Sequence, residues 1–429
     1  DPDVIRVEDT YYMVSTTMHF MPGCEILQSF DLVHWEHVTY VYETLDHTDA
    51  QQLKSGQNIY GQGMWAASLR YHEGRFYICF VANDTRKTYL YTSEKIDGPW
   101  KKQLIEGFYH DGSLLFDEDG RNYIVYGNDE IWITELNEDL TAPKKDGLHR
   151  LLVSDHKNPE LGYEGSHIQK INGYYYIFLV HSLRDRWMRT EACFYSDSLE
   201  GEFTGGDVLC DDRGYCGQGV AQGGIVDTPD GKWYAMLFQD SGAVGRIPIL
   251  LPVTWKDHFP VFGQNGHVPE EIEVHSTRPG YIYQPLVGSD DFCNGLLPRW
   301  QFNHDPDPRY YHLDALQGTY TITTREVCTE LTQAVNTLTQ RMSYPSCAAE
   351  VTVDASALKE GDVAGLCALQ SCYAAVGITK HHGKYEVLML DKKEDGILDM
   401  TEGTVVESHQ MDFRLEADFC NMKDEARCY

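Results

Sequence analysis

The chain has 429 residues, 42 % of them hydrophobic, with a mean hydropathy of −0.42, enough for two domains with their own cores. Its formal charge is −31, from 35 basic and 66 acidic residues, and such a surface repels nucleic acid, anionic membranes and polyuronic acids at long range. Neutral small molecules and neutral glycans remain as partners, and an aromatic content of 12 %, with 28 Tyr and 8 Trp, fits strands and sugar-binding faces.

The first predicted element is the hairpin "VIRV-EDT-YYMVS", which follows an acid-rich head, "DPD". Asp1 at its mouth is either a solvated loop residue or a placed chemical group, and repetition decides between the two. The hairpin returns as "HEGRFYICFVA", "EDGRNYIVYGN", "INGYYYIFLV" and "PDGKWYAMLF", with the aligned tyrosines at Tyr12, Tyr77, Tyr123, Tyr176 and Tyr234. Turn residues followed by β-branched and aromatic residues make each copy a β-hairpin. The intervals leave room for two more strands per copy, and these are visible in "ILQSFDLVHWE", "YLYTSEKIDGPW" and "ACFYSDSLEGEF". Five four-stranded units with almost no helical pattern predict a five-bladed β-propeller; the irregular period leaves a sandwich of short strands as the competing architecture.

Twelve residues before each tyrosine, or eleven in the shorter first hairpin, stand Asp1, Trp65, Asp111, Glu164 and Gln222. Each is a polar or aromatic head followed by small residues and then an alternating strand, and equivalent blade positions of this kind ring a propeller axis. Three carboxylates in an aromatic-lined funnel are costly to bury without a chemical reason. Hydrolysis of a glycosidic bond supplies one. An acid protonates the departing oxygen, a second carboxylate activates water or attacks the anomeric carbon, and a third tunes the acid. Trp65 offers a flat face for a sugar ring. The plainer alternative is that all five merely cap their strands.

The motifs "DPDVIRVEDTYYMVST", "GQGMWAASLRYHEGRFY", "HDGSLLFDEDGRNYIVYG", "EGSHIQKINGYYYIF" and "VGRIPILLPVTW" together resemble glycoside hydrolase family 43, the β-xylosidases, α-L-arabinofuranosidases and arabinanases built on a five-bladed propeller. The resemblance spans about residues 1–263. It implies that Asp1 is the general base, Asp111 the carboxylate that orients the site and tunes its pKa, and Glu164 the general acid, in a reaction that inverts the anomeric centre. It also implies that Arg246 lies against the sugar and the neighbouring carboxylates, and that Phe20 and Met21 fall at the pocket wall, Met21 being a departure. Gln222 stands where many relatives carry histidine near a central water or cation. Glutamine is a poorer metal ligand, so a hydrogen bond to sugar or water is expected there, no cofactor is required, and a structural calcium stays open. His110 and His167 flank two of the carboxylates and are read as packed or hydrogen-bonded neighbours.

The catalytic propeller is placed at residues 1–275 and a linker or wrapping segment, rich in Pro and Gly, at 276–288. Alternating strands such as "GTYTITT", "AAEVTVDAS", "AAVGITK" and "YEVLMLD" then predict a β-sandwich at 289–429 that resembles the concanavalin-like domain following the propeller in many β-xylosidases of the family. That domain either lends a loop to the pocket rim, favouring exo-action, or simply stabilises the propeller. Asp290 and Asp291 are either a structural calcium site or a solvated pair. The chain's end, without an obvious closing strand, suggests further residues beyond it.

Twelve cysteines without a CxxC pair, several in apolar runs such as "FYICFVA" and "AGLCALQ", read as free buried thiols and point to a reducing, cytoplasmic compartment. Because the chain starts at Asp1 without methionine, residues are expected ahead of it and a removed export signal stays open. No apolar run approaches the roughly 18–20 residues of a membrane span. The expected function is exo-acting, inverting removal of terminal β-D-xylose or α-L-arabinofuranose from neutral pentose oligosaccharides, with self-association left open. A retaining fructosidase would need an "NDPNG"-type nucleophile strand, which "DPDVI" is not. A non-catalytic sugar-binding propeller is the remaining alternative, though it would be expected to lack one of the three carboxylates.

Overall fold

The structure, a computed structural model, describes residues 1–370, 372–420 and 425–428, the last four by their backbone alone. Among the described residues there is no α-helix, only strands and short 3-10 turns. Five four-stranded antiparallel sheets follow one another along the chain. Sheet one runs from Asp3–Val7 to Glu36–Tyr42, sheet two from Met64–His72 to Lys101–Ile105, and sheet three from Ser113–Phe116 to His149–Ser154. Sheet four runs from Glu164–Ile171 to Thr204–Leu209 and sheet five from Ala221–Asp227 to Phe259–Phe262. The hairpins between first and second strands turn through left-handed backbone: Gly74, Gly120, Gly173 and Gly231 supply it in four sheets, and Glu8, at φ 57°, takes it in the shorter first hairpin.

Apolar faces pair the sheets cyclically. Separate buried clusters lie between sheets one and two, two and three, three and four, and four and five. A further one joins sheet five back to sheet one through Val4, Tyr11, Met13, Val226, Tyr234 and Met236. The first strands also pack in this order, the fifth against the first.

Polar groups close the same cycle near the middle. Asp3, fully buried, accepts Leu69 N–H at 2.7 Å and pairs with Arg70 at 2.7 Å. Arg70 reaches on to Leu114 O at 2.8 Å, Ser113 Oγ at 2.7 Å and Ile168 O at 3.2 Å, so one guanidinium touches sheets one, three and four from sheet two. Gln169 donates to Ile225 O at 2.8 Å, and Arg6 of sheet one pairs with Asp227 of sheet five. Burial opposes ionisation of Asp3, but Arg70, His167 and the Leu69 amide hold its carboxyl below the usual range.

The segment read as a linker is a strap on sheet one. Thr277 donates to Phe30 O and Asp9 O, Arg278 pairs with Asp9 at 2.8 Å, and Tyr281 and the Gln284 amide bind Glu36. The expected division at 288 is not where the compact units part. One unit comprises residues 1–240 and 246–340, the other 241–245 and 341–429. Residues 289–340 go with the first unit because Gln301–Asn303 pairs with Phe20–Met21 on one side and Leu338–Thr339 on the other. The second unit contains two antiparallel sheets, one built on Ser346–Asp354 and Gln410–Asp418, the other on Val363–Leu369, Tyr373–His381 and Lys384–Lys392. Val376, Ile378, Phe413 and Leu415 are buried between them. Cys24, Cys79 and Cys193 are buried as expected of core thiols, whereas Cys293 and Cys328 are exposed.

The Arg70 contacts generate a stability prediction. Arg70→Met should strip buried Asp3 of its arginine, leaving only the Leu69 amide and His167, and cost about 3–5 kcal/mol in denaturant unfolding at neutral pH. Because the Asp3 carboxyl is held low, its contribution is present above the ordinary carboxylate pKa and lost as pH falls through the folded value; the variant's deficit should therefore shrink in acid. A deficit below about 1 kcal/mol at neutral pH would show that Arg70 does not tie the sheets together.

Candidate active site

The five predicted heads come from the starts of five different first strands. Asp1, Asp111, Gln222, the Ala66–Ala67 pair after Trp65, and the Gly165–Ser166 pair after Glu164 line one small cavity. Local backbone aims them there. In sheets two and four the strand register shifts just past the head, between Trp65 and Ser68 and between Glu164 and His167, and in sheet five the shift between Ala221 and Gly224 takes in the head, Gln222, itself. Such bulges re-aim a side chain at a strand end, and the small residues "AA" and "GS" fill them in sheets two and four, with Gly223 after the head in sheet five. Asp111 and Gln222 themselves sit at positive φ, 47° and 61°. Backbone of that kind in non-glycine residues is held only by its surroundings. Gly165, at φ +68°, could carry no side chain, since a Cβ would lie 2.6 Å from Gln222 Cγ.

The three carboxylates have different partners. Asp1, its side chain 8 % exposed, accepts Thr16 Oγ1–H at 2.5 Å and pairs with Arg246. Asp111, 6 % exposed, accepts the Gly165 amide at 3.1 Å. Glu164 is more open; its Oε2 accepts Asn128 Nδ2–H at 2.6 Å and lies 3.4 Å from His110 Nε2, which is itself 3.6 Å from Asp111 Oδ2. Burial pushes the Asp111 carboxyl up to about 6; His110 opposes the rise and Glu164 adds to it. Burial works against charged His110, yet its hydrogen bond to Glu164 and the two neighbouring carboxylates hold the imidazole above its ordinary value.

Arg246 bridges Asp1 to Asp240, which it meets at 3.1 Å, and its guanidinium lies 4.3 Å from the Phe238 ring centroid. Asp240 is also paired with buried Arg189 at 2.5 Å. Burial disfavours ionised Asp240, but the two arginines hold it below the usual range. Trp65 is half-buried, its ring 6.2 Å from that of His110 and edge-on to it, and its buried indole N–H has no hydrogen-bond partner among the described residues. Gln222 is held by its backbone amide, which donates to Glu191 Oε2 at 2.7 Å, and burial keeps the Glu191 carboxyl well above the carboxylate range.

Phe20 lies in another cluster, stacked on His19 at 4.3 Å and paired through its backbone with Asn303. Met21, expected at the pocket wall, is 1 % exposed and packs in the core between sheets one and two, so it offers no surface to a sugar. His167 is a buried neighbour, 3.3 Å from Asp3. Asp290 uses both oxygens on its own loop, accepting from Phe292 N, Leu297 N and Trp300 Nε1, and Asp291 accepts from Cys293 N. Sequence reading missed Asn128, Arg189 and Asp240, which come from ends of second and third strands and have no repeated spacing to mark them.

Asp111 generates a second prediction. A carboxyl held at about 6 is stabilising only in its protonated form: relative to an ordinary Asp, stability is present below about pH 4 and lost as pH rises through 6. Asp111→Asn should therefore raise unfolding stability by about 1–3 kcal/mol near pH 8, with the gain vanishing near pH 4, while lowering activity. Equal stability at both pH values would mean that Asp111 is not strained by its surroundings.

The family model of glycosyl hydrolases family 43 matches residues 1–260, and that of the β-xylosidase C-terminal concanavalin A-like domain matches residues 289–428. A protein of Xylanibacter ruminicola called a putative beta-xylosidase is 29 % identical over 398 residues, 89 % of this chain and 71 % of its own length. A non-reducing end alpha-L-arabinofuranosidase of Bacteroides ovatus is 23 % identical over 94 % of this chain and 78 % of its own. A solved structure described as a bifunctional GH43-CE protein of Bacteroides eggerthii superposes with a TM-score of 0.92 at 42 % identity; it covers the whole of this chain, which spans 55 % of that one. The chain thus belongs to glycosyl hydrolases family 43 and carries that family's β-xylosidase C-terminal concanavalin A-like domain.

Proposed function

We propose that the chain is an exo-acting, inverting glycosidase that removes terminal β-D-xylose or α-L-arabinofuranose from neutral hemicellulose oligosaccharides, on a five-bladed propeller scaffold. The observation that carries the reading is the convergence of Asp1, Asp111, Gln222 and the residues just after Trp65 and Glu164 on one cavity from five separate sheets. Family membership and relatives named β-xylosidase and α-L-arabinofuranosidase support the substrate class.

In the proposed reaction Asp1 takes a proton from water as the water oxygen attacks the anomeric carbon. The glycosidic C–O bond breaks, and the departing oxygen receives the proton of Glu164. Arg246, paired with Asp1, orients that carboxylate. Asp111, close to His110 and to the backbone beside Glu164, places negative charge beside the acid, which disfavours a second anion there. Side chains alone carry these steps, and Trp65 and Gln222 are assigned to the sugar. A reducing compartment remains a proposal that rests on the buried thiols.

The test is a panel of aryl β-D-xylopyranosides and α-L-arabinofuranosides alongside xylo- and arabino-oligosaccharides. Glu164→Ala should lose at least about 100-fold on the oligosaccharides, whose leaving group needs a proton, and far less on glycosides of strongly acidic phenols. Equal losses on both would remove Glu164 from the acid role. Binding of pentose oligosaccharides without turnover would make the chain a sugar-binding module.

A further inference from the structure

His110 takes no part in the reaction just described, yet it stands between two of its carboxylates. Its Nε2 is 3.4 Å from Glu164 Oε2 and 3.6 Å from Asp111 Oδ2, while Gly127 N–H, donating to His110 O at 3.0 Å, fixes its backbone. Glu164 Oε2 already accepts Asn128 Nδ2–H at 2.6 Å, so both neighbouring donors converge on one oxygen. Oε1 has no hydrogen-bond partner among the described residues. A carboxyl oxygen that accepts two N–H groups is the poorer place for the acid's own proton, which then resides on the other oxygen.

We propose that His110 is a positioning residue for the acid: together with Asn128 it occupies Glu164 Oε2, confines the transferable proton to Oε1, and when charged makes Glu164 the stronger proton donor. This rests on Glu164 being the general acid. The groups facing His110 are Asp111 on its own segment, Glu164 from sheet four and Arg86 from sheet two. The two carboxylates favour its charged form and Arg86 opposes it; Trp65, edge-on, does not titrate. Asp111 and His110 then act on Glu164 in opposite senses. The anion disfavours a carboxylate at Glu164, and the imidazolium favours one. The alkaline limb of the pH–rate profile reports their balance.

Two variants separate the parts. His110→Phe keeps an aromatic edge for Trp65 but removes both donor and charge. His110→Gln keeps an N–H donor and cannot be charged. In His110→Phe the alkaline limb should move up by about one pH unit, with roughly tenfold loss on oligosaccharides and little loss on glycosides of acidic phenols. His110→Gln should recover most of the oligosaccharide rate and keep the shifted limb. An unmoved or downward limb in both variants, or losses uniform across leaving groups, would overturn the proposal; if His110→Phe fails to fold, the limb of His110→Gln alone decides. Failure of the underlying reading looks different, since Glu164→Ala would then lose equally on all leaving groups while the histidine variants stay near wild type.

Discussion

A part-buried guanidinium shared among sheets must be satisfied by each sheet it touches, and at Arg70 that constraint ties four of the five sheets together. Five donors in a planar fork require acceptors in fixed directions. Here they are Asp3 from sheet one, Leu114 O and Ser113 from sheet three and Ile168 O from sheet four. Rotation of any one of these sheets would leave the ion pair with buried Asp3 short of partners, at a cost of several kcal/mol. Asp3 lies two residues from Asp1, Ser113 two from Asp111 and Ile168 four from Glu164. The ion pair that fixes the sheets therefore also fixes the strand ends that carry the three carboxylates.

Above that clamp, the carboxylates are differentiated by their neighbours. Asp1 meets an arginine and a hydroxyl, Glu164 an amide and an imidazole, and Asp111 a backbone N–H in a buried setting that pushes it up to about 6. Three chemically identical groups acquire separate tasks only if their surroundings pull their proton affinities apart. The Arg189–Asp240–Arg246 chain extends the arrangement: two cations share one half-buried anion, and the second cation is left oriented toward Asp1. Phe238 lies beneath both guanidiniums, at 5.2 and 4.3 Å, giving them a flat apolar floor.

Much of this was legible in the sequence because turn chemistry and strand periodicity are local. The hairpins announced themselves through Gly-containing turns and a tyrosine at a repeated place, and counting back from Tyr77, Tyr123 and Tyr176 gave Trp65, Asp111 and Glu164. The count survives because the first strand and its hairpin have the same length in these sheets, and in sheets two and four the bulge after the head takes the same two residues, "AA" and "GS". Long-range pairings leave no such mark. Nothing in "RWQFNHD" shows that it adds a strand beside Phe20–Met21, so the sequence does not reveal that residues 289–340, which the family model of the C-terminal domain includes, are compact with the first unit. Met21 was misplaced for a related reason: alternation along a two-residue strand is too short to show which face is buried. Asn128 carries no sequence signal either, since an Asn after "YIVYG" reads as an ordinary strand end.

The central claim is that Asp1 activates a water rather than attacking the sugar. Inverting enzymes hold acid and base roughly 6.5–9.5 Å apart to admit that water, whereas a nucleophile would need about 5–5.5 Å. Proton NMR of the first-formed pentose, recorded before mutarotation, distinguishes the two directly. The account predicts that this sugar has the anomeric configuration opposite to that of the substrate, with no glycosyl-enzyme accumulating. Retained configuration, or a sugar ester trapped on Asp1, would contradict it.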